Sequence, residues 1–309
     1  MLTHLFRMLK YGTSYAIATG FFPTEIKKNV LLLYSFVRIP DNIVDEVPSS
    51  WGIKDPVNQE SLNLHYTQAK SKLKIMEKSR TQAYTTNNTA DQTRGQYITL
   101  FQDNGIPFQY SLDFFKAMID DCTIHRYKTY QQLEWYMYWS ASVVGLMMCH
   151  IIGFIDPKHE KRAKIYATEL GNAMQLTNFL RDVREDYEQL DRIYMPSEIL
   201  KKYGLSHQDI GVLITWTHTD DIMTDIKKES RKLYMQSMIS TCRTMYAHSL
   251  DGLQYLNPEW RKAVRLAALL YASILDKIEA NDYDVFTKSA RTNLKDKFQT
   301  LYKYKRQWK

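Results

Sequence analysis

The chain's 309 residues, 44% hydrophobic and 24% charged, exclude a disordered protein and leave room for one large domain or two ordinary ones. With only 11 Gly and 8 Pro it is too poor in turn residues for a β-sandwich or a turn-dense α/β fold, and long helices are favoured; 22 Tyr and 13 Met promise an aromatic, adaptable interior. The net charge of +7, from 41 basic and 34 acidic residues spread along the chain, describes a lysine-biased surface, and without a basic recognition helix it gives no ground for nucleic-acid binding.

The N-terminal stretch MLTHLFRMLKYGTSYAIATGFFP is mildly apolar but lacks the hydrophobic run and cleavage site of a signal peptide. KKNVLLLYSFVRIPDNIVDEV follows with helical recurrence of apolar positions, and Pro40 is expected to kink it just before Asp41. PSSWGIKDP ends that helix, and AYTTNNTADQTRG reads as a polar loop. From SLDFFKAMIDDCTIHRY onward helix follows helix. QQLEWYMYWSASVVGLMMCHIIG and KRAKIYATELGNAMQLTNFLRDVREDYEQL are separated by Asp156 and Pro157. The most apolar stretch, ASVVGLMMCHIIGFI, is short for a bilayer span and carries His150. A YGLSHQD turn introduces the last third, where RKAVRLAALLYASILDKIEAN is a clear amphipathic helix. No stretch reads as a strand and no linker divides the chain, so residues 1–309 are expected to form a single all-α domain. Cys122, Cys149 and Cys242 show no metal or redox spacing, which fits a reducing, cytoplasmic setting. The tail YKYKRQWK mixes basic and aromatic residues, a composition suited to peripheral membrane contact and equally to a solvated end.

Two acidic runs stand out against this apolar background. In NFLRDVRED, each step of four residues turns a helix only about 40° off one face and rises about 6 Å. Asn178, Asp182 and Asp186 therefore share a face, with Arg181 and Arg184 beside it. In RIPDNIVDEV, Asp41 and Asp45 share a face by the same spacing, with Glu46 adjacent and Arg38 one turn earlier. Oxygen ligands of this kind, one or two per ion with water and phosphate completing the shell, are how Mg²⁺ is held. Arginine supplies paired N–H donors to a diphosphate. A lone DxxxD is most often solvated surface. Here both runs sit in apolar helices (LLLYSFV and MQLTNFL), where unneutralised carboxylates would be costly.

These stretches resemble the squalene/phytoene synthase family. LGNAMQLTNFLRDVRED followed by RIYMP is similar to its second signature, and DNIVDE preceded by Arg38 to its first acidic motif. DDCTIHRYKTYQQLEWYMYWSASVVG matches its central stretch at Asp121, Tyr127, Thr129, Leu133, Tyr136, Ala141 and Gly145, and YASILDKIEANDYDVF its C-terminal helix and turn. The resemblance runs from about Ser14 to Lys295 and implies an isoprenoid-synthase helical bundle around a central cavity. It implies head-to-head condensation of two prenyl diphosphates through a cyclopropylcarbinyl diphosphate.

By the same resemblance Asp41, Asp45, Asn178, Asp182 and Asp186 bind Mg²⁺, with Mn²⁺ as a substitute. Tyr136 joins the four aspartates at the reacting centre. Ser14, Tyr11, Arg38, Asp121, Gln175, Arg181, Tyr271 and Lys288 contact the substrate. The chain departs from the family at Tyr11-Gly12 (usually His-Ser), Asn42 (often Asp), Ala117 (often Gly), Lys288 (often Arg) and Asp191 (usually Gly), and the spacer before Arg192 is one residue longer. The wording QLTN, RDV and RIYMP leans to phytoene, from two geranylgeranyl diphosphates via prephytoene diphosphate. Squalene or dehydrosqualene from farnesyl diphosphate is the alternative, with NADPH needed only for squalene. A non-catalytic assembly protein of the same fold is the alternative of another class, and the oligomeric state stays open.

Overall fold

The computed structural model describes residues 2–47, 59–88, 91–215 and 222–306. Among these there is no strand, only two isolated β-bridges, Arg126 to Ile193 and Phe154 to Leu256. The helices are α1 Leu2–Tyr11, α2 Thr13–Thr19, α3 Thr24–Asp45, α4 Gln59–Thr85, α5 Gln92–Asp103, α6 Gln109–Asp120, α7 Tyr130–Met137, α8 Val143–Ile152, α9 Glu160–Arg181, α10 Val183–Leu190, α11 Ser197–Lys202, α12 His207–Thr215, α13 Ile222–Asp251, α14 Arg261–Ala280 and α15 Leu294–Arg306.

Helix α9 is central: α8, α13 and α14 all pack on it. Small residues let its neighbours approach closely. A Cβ on Gly171 would lie 2.8 Å from the Ser142 Cα and 2.9 Å from the Ala141 carbonyl oxygen. The segment it meets, Tyr138–Ser142, is a π-helical turn between α7 and α8. Ser142 is tied to α9 by hydrogen bonds from its hydroxyl to the Thr168 carbonyl (2.9 Å) and the Asn172 side chain (2.6 Å). One buried cluster extends from Met8 to Ala290 and includes Phe36, Phe101, Phe115, Leu133 and Tyr234, all nearly sealed from solvent. Each such side chain contributes about 1.5–3 kcal/mol by leaving water.

The expected elements shift in four places. α3 runs unbroken through Pro40. The expected polar loop starts later and ends sooner, because α4 continues to Thr85 and Asp91 caps α5 by accepting from the Arg94 N–H at 2.8 Å. The run expected as one helix to Leu190 breaks at Asp182, between α9 and α10. The stretch from Tyr130 to Ile152, with its π turn, is long and apolar enough to cross a membrane, yet 56% of its most apolar window is buried in the fold. Burial of that kind is what a core helix shows. The PSSWGIKDP break lies outside the described residues.

Candidate active site

A cavity of about 700 Å³ opens beside α9, within the size range of small-molecule sites. Along α9 its lining residues recur on one face: Ala163, Ala167, Leu170, Gly171, Met174, Asn178 and Arg181. From Ala163 to Arg181 this face is about 27 Å long, and its chemistry changes from small and apolar to polar. Along α3 the facing residues are Val30, Leu33, Val37, Arg38, Asp41 and Asp45, with the same change in the same direction. Cys149, Ile152, Leu253 and Leu256 line the apolar reach, and Lys10 and Arg291, both exposed, mark the mouth.

The two acidic runs confront each other at the polar end. Asp41, Asp45, Asn178, Asp182 and Asp186 all line this one cavity. The break at Asp182 preserves their register, since the Asp182 N–H bonds the Asn178 carbonyl at 2.9 Å and the Asp186 N–H the Asp182 carbonyl at 2.8 Å. Burial and the nearby Asp45 push the Asp41 carboxyl up to about 7, against the pull of Arg38. Burial, Asp182 and Asp45 raise Asp186 well above the usual carboxylate range. Asp45 thus acts on Asp186 from the opposite wall.

Three arginines answer this charge. Arg38 pairs with Asp41, and Arg181 pairs with Asp182 through two N–H groups. Burial opposes the Arg181 charge, but Asp182 and Tyr271 more than offset it, and the guanidinium stays protonated. Arg192 is 2% exposed. Its Nη1 donates to Asp45 Oδ1 at 2.9 Å and its Nη2 to the Asp121 carbonyl at 3.2 Å. Ser14, Gln175 and Tyr271 also line the cavity, Tyr271 with its ring 4.9 Å from that of Tyr15.

Four expected residues stand elsewhere. Tyr136 and Asp121 lie behind the first wall, where the Tyr136 hydroxyl donates to Asp121 Oδ2 at 2.6 Å and Tyr194 to Oδ1 at 3.2 Å. Burial raises the Asp121 carboxyl to about 6. Lys288 is exposed and outside the lining; Arg291 and Lys297 line the cavity instead. Tyr11 ends α1, and its side chain lies outside the described residues. Beside it, a Cβ on Gly12 would meet the Tyr34 hydroxyl at 2.8 Å, so Tyr34 fills the room that the family's usual serine would need. Asp191 adopts the left-handed conformation (φ 47°, ψ 41°) that explains the family's glycine there, and Arg126 bonds both its carboxylate and its carbonyl.

Arg192 was the principal omission of the sequence reading. RIYMP was part of the resemblance, but nothing in its spacing says that its arginine turns inward.

Among the described residues no three His, Cys, Asp or Glu side chains converge as a ready-made metal centre. The donors nevertheless fit Mg²⁺. They are hard oxygens, the Asp41 and Asp186 carboxyls are raised by burial and by neighbouring carboxylates, and the Asn178 Oδ1 is buried without a hydrogen-bond donor.

A sequence profile described as squalene/phytoene synthase matches residues 8–296. A chloroplastic phytoene synthase from an Oncidium hybrid cultivar is 37% identical over 195 residues, 61% of this chain and 44% of that protein. Chloroplastic phytoene synthase 2 of Oryza sativa subsp. japonica is 28% identical over 298 residues, 94% of this chain and 66% of its own length. The chain thus spans less than half the length of the Oncidium relative. Among solved structures, a dehydrosqualene synthase superposes with a TM-score of 0.75 at 21% identity, covering 99% of this chain and 95% of its own. A squalene synthase from Alicyclobacillus acidocaldarius gives 0.67 at 18% identity, with 89% and 90% covered. At these identities the likeness shows a shared all-α terpenoid-synthase fold.

Proposed function

The chain belongs to the squalene/phytoene synthase family, and from that premise we propose that it joins two geranylgeranyl diphosphates head to head to give phytoene via prephytoene diphosphate. The observation that carries this reading is the cavity itself. Two acidic walls, each with its own arginine, meet at one end of a hollow whose remaining length is apolar. A prenyl diphosphate has the same division, a doubly phosphorylated head on a hydrocarbon tail. The names of the curated relatives favour the C40 product over squalene or dehydrosqualene, and NADPH would enter only for squalene.

Asp41 and Asp45 on one wall, with Asn178, Asp182 and Asp186 on the other, would hold Mg²⁺, which when bound supplies neutralisation of the departing diphosphate. The chain's own groups do the rest. Arg38 and Arg181 bind diphosphate oxygens and stabilise the charge that develops as the allylic C–O bond breaks. Leu33, Val37, Met148 and Ile274 exclude water from the carbocation left behind, which water would convert to an alcohol. Tyr15, Tyr34 and Tyr271 present aromatic faces that favour a cation. Tyr136 and Asp121 hold the first wall from behind through Arg192 and Tyr194. Over the full cycle two diphosphates leave with the C–O bonding pairs and two protons leave from carbon, and the two retained C–H pairs become the C=C double bond that joins the C20 units.

We read residues 1–309 as one domain, on the ground of the large core cluster that extends from Met8 to Ala290. The three cysteines are buried and free, which suits a reducing compartment. Peripheral contact with a lipid surface is supported by exposed Leu2, Phe6 and Leu9 on α1 and Leu294, Phe298 and Tyr302 on α15. Lys297 of α15 bonds Thr13 just beyond α1, and both line the cavity.

The test is turnover. Purified protein with Mg²⁺ and labelled geranylgeranyl diphosphate is expected to release pyrophosphate and yield a C40 hydrocarbon, and Asp182→Ala to abolish both. Turnover of farnesyl diphosphate alone to a C30 product overturns the chain-length assignment. Failure of the wild-type protein to bind any prenyl diphosphate overturns the enzyme reading in favour of an assembly role.

A further inference from the structure

Helix α4 contributes no residue to the cavity lining, yet its side chains bond the backbone of both acidic walls. The His65 Nε2 lies 2.8 Å from the Val44 carbonyl oxygen; a carbonyl only accepts, so that nitrogen carries the proton. The next residue, Tyr66, donates its hydroxyl to the Leu190 carbonyl at 2.6 Å. Val44 directly precedes Asp45 near the end of α3, and Leu190 closes the helix that carries Asp186. The last four carbonyls of a helix have no partner within it. Two neighbouring side chains therefore satisfy the free ends of the two helices that present the acidic groups. Both are buried, His65 at 7% and Tyr66 at 4% exposure.

A third bond follows the same logic. Pro40 has no N–H to offer the Phe36 carbonyl one turn back, and the Arg80 Nη1 of α4 donates to that carbonyl at 3.4 Å. Arg80 is 8% exposed and stands over the rings of Phe36, Tyr97 and Phe115 at 4.3, 4.8 and 5.1 Å.

We propose that α4 is a brace that sets the separation of the two acidic walls, with His65 and Tyr66 as its positioning residues and Arg80 as a support for the turn before Asp41. His65 holds the Asp45 end of one wall and Tyr66 the Asp186 end of the other. Because the two are adjacent in sequence, the walls are referred to a single point of α4. The proposal rests on the metal–diphosphate reading of the cavity.

The experiment is binding without turnover: calorimetric titration of inorganic pyrophosphate in saturating Mg²⁺, well below the melting temperature, alongside thermal denaturation. Tyr66→Phe removes one O–H and keeps the ring. It is expected to weaken pyrophosphate binding about tenfold, the scale on which groups behind metal ligands act. His65→Leu is expected to do the same, and His65→Gln, which keeps an N–H donor, to recover part of the loss. Variants that melt earlier but bind pyrophosphate with wild-type affinity show only packing and overturn the brace. Should His65→Leu fail to fold, Tyr66→Phe and His65→Gln still decide. Absence of binding by the wild-type protein, by contrast, overturns the diphosphate reading itself and the brace with it.

Discussion

Arg192 Nη1 and Asp45 Oδ1 lie 2.9 Å apart, the arginine sealed in the fold and the aspartate half open to the cavity. One carboxylate of the first acidic wall is thus tied to the segment that follows the second. Burial opposes the Arg192 charge, but Tyr194, Asp121 and Asp45 keep it protonated. Arg192→Met would leave Asp121 buried without its cation. The expected loss is on the order of 3 kcal/mol, read by denaturant unfolding, and Arg192→Lys should recover only part of it because the planar fork is gone.

Arg181 bonds Asp182 through both Nε and Nη2 while also lining the cavity. Lysine keeps the charge but not the paired donors. Arg181→Lys is expected to lower kcat/KM by about 10- to 100-fold, the loss of one charge-assisted hydrogen bond at the transition state, with little change in melting temperature. Steady-state pyrophosphate release measures it.

The raised Asp41 carboxyl gives a pH signature. Its folded value, about 7, lies above its ordinary value of 3.8. Its favourable contribution to stability is therefore complete below about pH 4 and is lost as pH rises through about 7. Metal-free protein should become less stable across that window. Mg²⁺ needs the ionised form, so its affinity should rise from pH 6 to 8 with release of protons, seen as buffer-dependent heats in calorimetry. Asp41→Asn should remove part of that proton release, the raised Asp186 carboxyl supplying the rest.

The contact between α9 and the π turn has no slack. The added methyl of Gly171→Ala would meet three backbone atoms of Ala141 and Ser142 at 2.8 to 3.0 Å. Overpacking of this kind costs about 1–3 kcal/mol. Both Gly171 and Ala141 line the cavity, so a lower melting temperature should come with a raised KM.

Much of this site was legible because helical spacing is rigid. Four-residue steps put Asp41 with Asp45, and Asn178 with Asp182 and Asp186, on common faces, and the structure keeps those faces even where the helix breaks at Asp182. The apolar residues around both runs likewise announced that the faces look inward. Long-range pairing was not legible. Nothing local says that Arg192 reaches Asp45, 147 positions earlier in the chain, or that Tyr66 reaches Leu190. Lys288 was assigned from its place in a motif, but the chain turns after α14 so that Arg291 faces the cavity instead. Tyr136 and Asp121, expected at the reacting centre and against the substrate, stand outside the cavity lining, bonded to each other and to Tyr194.

Under the proposed function, the cavity that grades from charged to greasy along α9 would treat starting material and product unequally. Each prenyl diphosphate would arrive with an anionic handle that the polar end can grip and let go. The hydrocarbon that remains would have no handle, and every contact left to it would be with the oily reach. Escape, more than bond-making, would then govern how fast the cycle repeats, and a nearby oily phase able to take up the hydrocarbon would quicken it.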